Sequence, residues 1–191
     1  MGIIISSFPG CGKTYLTNTH GDKAKILDAW AELHHYGEPT GDGYDYDFNL
    51  FVDAVMSVVD KYDIVFVPID KNCLEVFNKR NIDYDLFYPS KERRQEFIEN
   101  MVRKRMKPQG IMMLDRDFNK MVDEIDNIED ENCYKHKMTE PGHFIGNDNA
   151  IMQYINNIKQ NPTKNEQQPS ERVEEPSRSE SDDEGNEEGN A

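Results

Sequence analysis

Residues 3–21 read IIISSFPGCGKTYLTNTHG, and how this stretch is read decides the fold. Ile3–Ile5 open a β-branched run that stops at Pro9-Gly10, the pattern of a buried strand feeding a tight turn. From Lys13 to about Thr19 the residues permit a short helix, closed by Gly21. Strand, glycine turn and helix in this order can hold a polyphosphate. Gly10 and Gly12 let the backbone curl so that successive N–H groups point inward, and the helix start adds the positive end of its dipole. Lys13 would reach the outer phosphates and the Thr14 hydroxyl would hold Mg²⁺. The pattern G-x-x-x-x-G-K-[ST] ends on Gly12-Lys13-Thr14 but has Ser7 where its first glycine belongs. The bland alternative is a strand-to-helix turn with an exposed lysine.

Outward from this turn the chain alternates. AKILDAW (residues 24–30) is a second strand candidate, and HHYGEPTGDGYDYD (residues 34–47) reads as a loop. DFNLFVDAVMSVVDKY places Phe48, Phe51, Val52, Val55, Val58 and Val59 on one helical face. DIVFVPID (residues 63–70) is a strand, KNCLEVFNKR a helix, and IDYDLFYP a weaker strand ending at Pro89. Strand and helix in alternation predict a parallel sheet with helices on both faces. Ser90 is a candidate N-cap for a helix with Phe97, Ile98, Met101 and Val102 as its apolar stripe. A further helix is expected from about Asp115 to Glu129, with Phe118, Met121, Val122, Ile125 and Ile128 inward. CYKHKMT is a weak last strand and AIMQYINNIK a closing helix.

The 191 residues carry a net charge of −15, which argues against nonspecific contact with nucleic-acid backbones or anionic membranes. From Gln160 onward there are ten acids against three bases and almost no apolar residue, so residues 160–191 are expected to be a disordered acidic tail. A protein partner is one role for it. The three cysteines, Cys11, Cys73 and Cys133, show no zinc or disulfide spacing. With no secretory signal and no apolar stretch of membrane-spanning length, the expected location is the cytoplasm.

SSFPGCGKT, followed later by FYPSKERRQEFI (residues 87–98), resembles the small P-loop kinases of the nucleoside monophosphate kinase-like group, of the phage- and virus-encoded type. The resemblance covers about residues 1–158 and would put the protein in a host cytoplasm. It implies a three-layer fold with a five-stranded parallel sheet, the N-terminal strand central, in a domain of residues 1–159. It implies a mobile lid, here residues 90–108. It also implies ATP and Mg²⁺ as ligands, with Pro9, Gly10, Cys11, Gly12, Lys13, Thr14 and Tyr15 around the nucleotide. The acceptor would be a small molecule, a nucleoside monophosphate foremost.

Four groups of residues then stand as candidates for chemistry. Asp70 ends IVFVPID and either orders the Mg²⁺ shell or caps the helix that follows. Asp28 ends KILD, where ligands of such sheets gather; it would act as general base toward a hydroxyl, orient a phosphate acceptor, or merely face a loop. Residues 91–107 hold seven bases against three acids. Arg93, Arg94, Arg103 and Arg105 are candidates for phosphate contacts from a lid, against the alternative of a solvated helix with ion pairs such as Glu99–Arg103. Cys11, inside the turn, would either make binding sensitive to oxidation or be merely a small side chain that fits there. His34, His35 and His143 lack carboxylate or cysteine partners at ligand spacing, and Met112, Met113, Tyr44, Tyr46, Phe48 and Phe51 suit a core or pocket wall. The alternative function is a nucleotide-binding protein without kinase activity, whose tail recruits a partner.

Overall fold

The structure, a computed structural model, describes residues 2–33, 37–40 and 43–160. The expected acidic tail and the histidine pair at 34 and 35 lie outside the described residues. In chain order the elements are β1 (Ile3–Ser7), α1 (Lys13–His20), β2 (Ile26–Asp28), α2 (Ala29–Glu32), β3 (Gly37–Thr40), β4 (Gly43–Tyr46) and α3 (Phe48–Val58). There follow β5 (Ile64–Val67), α4 (Lys71–Lys79), β6 (Tyr84–Pro89), α5 (Arg94–Arg103), α6 (Pro108–Asp126), β7 (Cys133–Met138) and α7 (Asn149–Gln160).

Five strands form one parallel sheet in the order β2-β5-β1-β6-β7, so the N-terminal strand is central, as expected. Register pairs Ile5 with Phe66 on one side and Ser7 with Phe87 on the other. Consecutive residues of β5 are all buried, and β1 and β6 are nearly so, because both faces of a parallel sheet are covered. The chain leaves β1 toward β2, returns to β5, then crosses to β6 and on to β7. The connections out of the neighbours β1 and β6 therefore diverge. In such sheets the crevice beyond the carboxyl ends at that divergence is where ligands bind.

Packing beneath the crevice is aromatic. Phe8, Phe97 and Phe118 meet edge to face, with ring centroids 5.0 Å apart for Phe8–Phe118 and 6.1 Å for Phe8–Phe97. These rings join α5 and α6 to the end of β1, and all three are fully buried.

Several expected boundaries move. The second strand stops at Asp28, because its carboxylate caps α2 and turns Ala29 and Trp30 into helix. The loop expected over residues 34–47 contains an antiparallel hairpin, β3 with β4. α6 begins seven residues before the expected start, at Pro108, whose fixed φ and missing N–H suit a first helical position. Ile128 falls beyond that helix. Val102 is 59% exposed rather than part of the α5 stripe, which Phe97 and Met101 carry, and Met112 and Met113 stand exposed on α6 rather than in a core or pocket wall. No helix among the described residues is long and apolar enough to cross a membrane.

Candidate functional site

The turn after β1 is built by backbone bonds. Phe8 N–H donates to Phe87 O at 2.9 Å, and Cys11 N–H donates back to Phe8 O at 3.1 Å. Gly10 (φ +89°) and Gly12 (φ +101°) take left-handed conformations that L side chains rarely adopt. They are also crowded. A Cβ on Gly10 would lie 3.1 Å from Met101 Cε, and one on Gly12 would lie 3.2 Å from Phe144 Cβ. Pro9 is half-buried at the rim.

Cys11 turns inward and its Sγ–H faces Phe87 O at 3.5 Å. Burial pushes the thiol far above its ordinary pKa, only partly offset by the charges of Arg93, Lys13 and Lys104. At 1% exposure and held neutral, this thiol fits the reading of a small side chain filling the turn and not an oxidation-sensitive role.

α1 offers the turn its donors. Leu16 N–H is the first to close a helical bond, onto Gly12 O at 2.9 Å. The N–H groups of Lys13, Thr14 and Tyr15 therefore lack carbonyl partners among the described residues. Thr14 and Tyr15 are exposed. Ser7, standing where the motif has glycine, is 4% exposed and its Oγ has no hydrogen-bond partner among the described residues. Ser6 differs, since its Oγ donates to Pro68 O at 3.2 Å. An orphaned hydroxyl and three open amides at one strand end fit an oxygen-rich anion.

The two residues expected to act on the outer phosphates and the acceptor are brought together. Lys13 Nζ lies 3.6 Å from Asp28 Oδ2, with 31% and 39% of the two side chains exposed. The ammonium also sits 5.9 Å from the Phe66 ring centroid, so it spans β5 to reach β2. Asp28 accepts from Ala31 N at 3.4 Å as the cap of α2. Beyond it Trp30 packs on Tyr46 (4.8 Å between centroids) and on Phe51 (5.7 Å), with Phe48 stacked at 6.3 Å. Trp30 and Tyr46 are half-buried. Trp30 thus lies in α2 rather than in the strand expected over residues 24–30.

Asp70 caps α4, accepting from Asn72 N at 2.9 Å and Cys73 N at 3.4 Å. The capping role is thus realised, and a carboxylate has lone pairs left over. The structure records no contact between Asp70 and Thr14. Among the described residues there is no cluster of three His, Cys, Asp or Glu that could hold a metal ion by itself. Mg²⁺ bound through one or two protein groups and phosphate oxygens needs no such cluster.

The four arginines of the expected lid part company. Arg93 is 3% exposed; its Nε and Nη2 each meet the Glu96 carboxylate at 2.9 Å, and Nη1 donates to His143 O at 2.6 Å. Its guanidinium lies 5.1 Å and 5.0 Å from the centroids of Phe97 and Phe144. All of this commits Arg93 to protein partners. Arg94 bridges to Asp115 of α6, with Nε 3.0 Å from Oδ1. Arg103 and Arg105 are exposed and have no ion pair among the described residues. Arg105 stands in a left-handed turn (φ +56°) between α5 and α6. The segment is therefore helix α5, anchored by Phe97 and Met101, followed by an exposed basic turn at residues 104–107 that leads into α6.

One segment bordering the turn gave no sequence signal. Gly142–Asp148, between β7 and α7, docks on the turn through Ile145 N–H, which donates to Cys11 O at 3.0 Å. Phe144 N–H donates to Asn147 Oδ1 at 2.7 Å, Asn147 Nδ2 to Gly142 O at 2.8 Å, and His143 pairs with Asp148 at 2.9 Å. A groove of about 460 Å³ between α4 and α6, lined by Leu74, Tyr84, Met121 and Ile125 among others, includes none of these residues. The chain matches no protein-family model and no curated protein sequence.

Proposed function

We propose that the protein binds Mg-ATP, with the triphosphate in the Pro9–Tyr15 turn, and transfers a phosphoryl group to a small acceptor held beyond β2. The acceptor that fits best is a nucleoside monophosphate, because the half-buried Trp30 and Tyr46 offer aromatic faces beside Asp28. One observation carries the reading. The central strand ends, where the sheet's connections diverge, in a turn with two left-handed glycines and three open amides, and its lysine faces an acid from another strand. The sequence resemblance to small P-loop kinases points the same way.

Positioning and charge neutralisation account for the chemistry. The open N–H groups of Lys13, Thr14 and Tyr15 bind phosphate oxygens. Lys13 exchanges Asp28 for the outer phosphates. Asp28, so released, orients a phosphate acceptor or takes the proton of a hydroxyl. Thr14 and Asp70 would hold Mg²⁺, which when bound neutralises charge on the transferring group. Arg103 and Arg105, with Lys104 and Lys107 beside them, are available cations at the basic turn.

A second reading is a nucleotide-binding protein without kinase activity, its acidic tail recruiting a partner. The commitment of Arg93 to Glu96 and of Arg94 to Asp115 favours it, since both are withheld from phosphate. Calorimetry with Mg-ATP, followed by a panel of nucleoside monophosphates, separates the two. Product from any acceptor establishes the kinase, while binding without product leaves the binding protein. Lys13→Ala should abolish turnover and leave the fold intact. Undiminished turnover in that variant would overturn the site assignment.

A further inference from the structure

Lys13 and Tyr15 leave the first turn of α1 about 200° apart around the helix axis. Lys13 points across β5 to Asp28, on the β2 side of the sheet. Tyr15 lies on Gly146, in the segment between β7 and α7 that docks on the turn through Ile145 N–H and Cys11 O. Gly146 is buried, and a Cβ there would overlap the Tyr15 ring. The ring therefore rests on bare backbone and is nevertheless 56% exposed. No other large apolar side chain of α1 is exposed, since Leu16 is buried and Thr14, Thr17, Asn18 and Thr19 are polar.

We infer that the open face of Tyr15, backed by Gly146, is the stacking seat for the base of the bound nucleoside triphosphate. The inference rests on the phosphate-binding reading above and adds the direction of the ligand. The three open amides lie between the two side chains. A triphosphate on them has its outer end toward Lys13 and Asp28 and its nucleoside end toward Tyr15. Acceptor and base then occupy opposite sides of the turn, the acceptor by Trp30 and the base by Gly146. A planar heteroaromatic base covers the exposed ring without requiring a hydrogen bond, so this seat holds a nucleobase without selecting which one.

The test is calorimetric titration of the full chain with Mg-ATP and, separately, with Mg-tripolyphosphate. The wild-type protein should bind ATP more tightly. Tyr15→Ala should weaken ATP about tenfold, the size of one base–aromatic stack, and leave tripolyphosphate within about twofold. Tyr15→Phe should keep both affinities. Gly146→Ala, which pushes the ring aside, should again weaken ATP alone. Unchanged ATP affinity in Tyr15→Ala overturns the inference, and so does a parallel fall for both ligands, which would make Tyr15 a part of the cradle. Wild-type protein that holds tripolyphosphate as tightly as ATP removes the base seat and leaves the cradle standing. Binding of neither ligand removes both.

Discussion

Replacing Arg93 by methionine tests whether this residue is a strut or a phosphate ligand. The guanidinium is 3% exposed, bidentate to Glu96, bonded to His143 O and set between the Phe97 and Phe144 rings. Breaking a buried ion pair from one side costs about 3–5 kcal/mol, because the other charge stays behind. Glu96 is 29% exposed and also accepts from Gly142 N–H, so water and that amide recover part, leaving a loss of about 2–4 kcal/mol. With a urea dependence of about 2 kcal/mol per molar, the unfolding midpoint should fall by about 1–2 M. Fluorescence of the single tryptophan, Trp30, reports the transition. The loss should also depend on pH. The hydrogen bonds from Arg93 hold the Glu96 carboxyl below its ordinary range, against the opposing effect of burial. A group with the lower pKa in the folded state stabilises fully above its unfolded value, about 4.3 for glutamate, and loses that contribution as pH falls through the folded value. Wild type and Arg93→Met should therefore converge in acid. A midpoint shift below about 0.3 M at neutral pH, with nucleotide affinity falling instead, would refute the strut and return Arg93 to the lid.

Substitutions at four further positions probe other parts of the structure. Phe118→Ala removes the ring that both Phe8 and Phe97 pack against and should cost about 3–5 kcal/mol in denaturant unfolding; a loss under 1 kcal/mol would mean the core collapses around the gap. Gly12→Ala puts a side chain at φ +101° and 3.2 Å from Phe144 Cβ, and should cost about 1–3 kcal/mol. Gly110→Ala, in helix α6 with nothing within 4 Å, should instead stabilise by about 0.5–1 kcal/mol, and the two opposite signs are read in the same titration. Asp70→Ala should lose about 1 kcal/mol with the cap, whereas Asp70→Asn keeps the cap. Turnover lost in Asp70→Asn at unchanged stability assigns the carboxylate to the metal, and retained turnover leaves it a cap.

Local pattern and long-range packing divided the information unevenly. The strand, turn and helix at residues 3–20 were legible because each depends on neighbours in sequence: β-branched residues for the strand, glycines for positive φ, a helix former after the turn. The alternation of strands and helices was legible for the same reason, and with it the parallel sheet. The hairpin at residues 37–46 was not, because its pairing competes with a loop of the same glycine- and tyrosine-rich composition. The early start of α6 was missed because Pro108 and Gly110 look like breakers unless the proline sits at a first helical position.

The sequence by itself determined the strand, glycine turn and helix at residues 3–20 and the alternation of strands and helices that makes the sheet parallel, since these follow from chain-local conformational preference. Only the tertiary structure decided their allegiance: that Lys13 faces Asp28, that Arg93 belongs to Glu96 and the His143 carbonyl, and that Gly146 lies under Tyr15. Those partners are 3 to 131 positions apart in the chain, and what selects them is which side chains the buried sheet and its helices leave pointing at the same space.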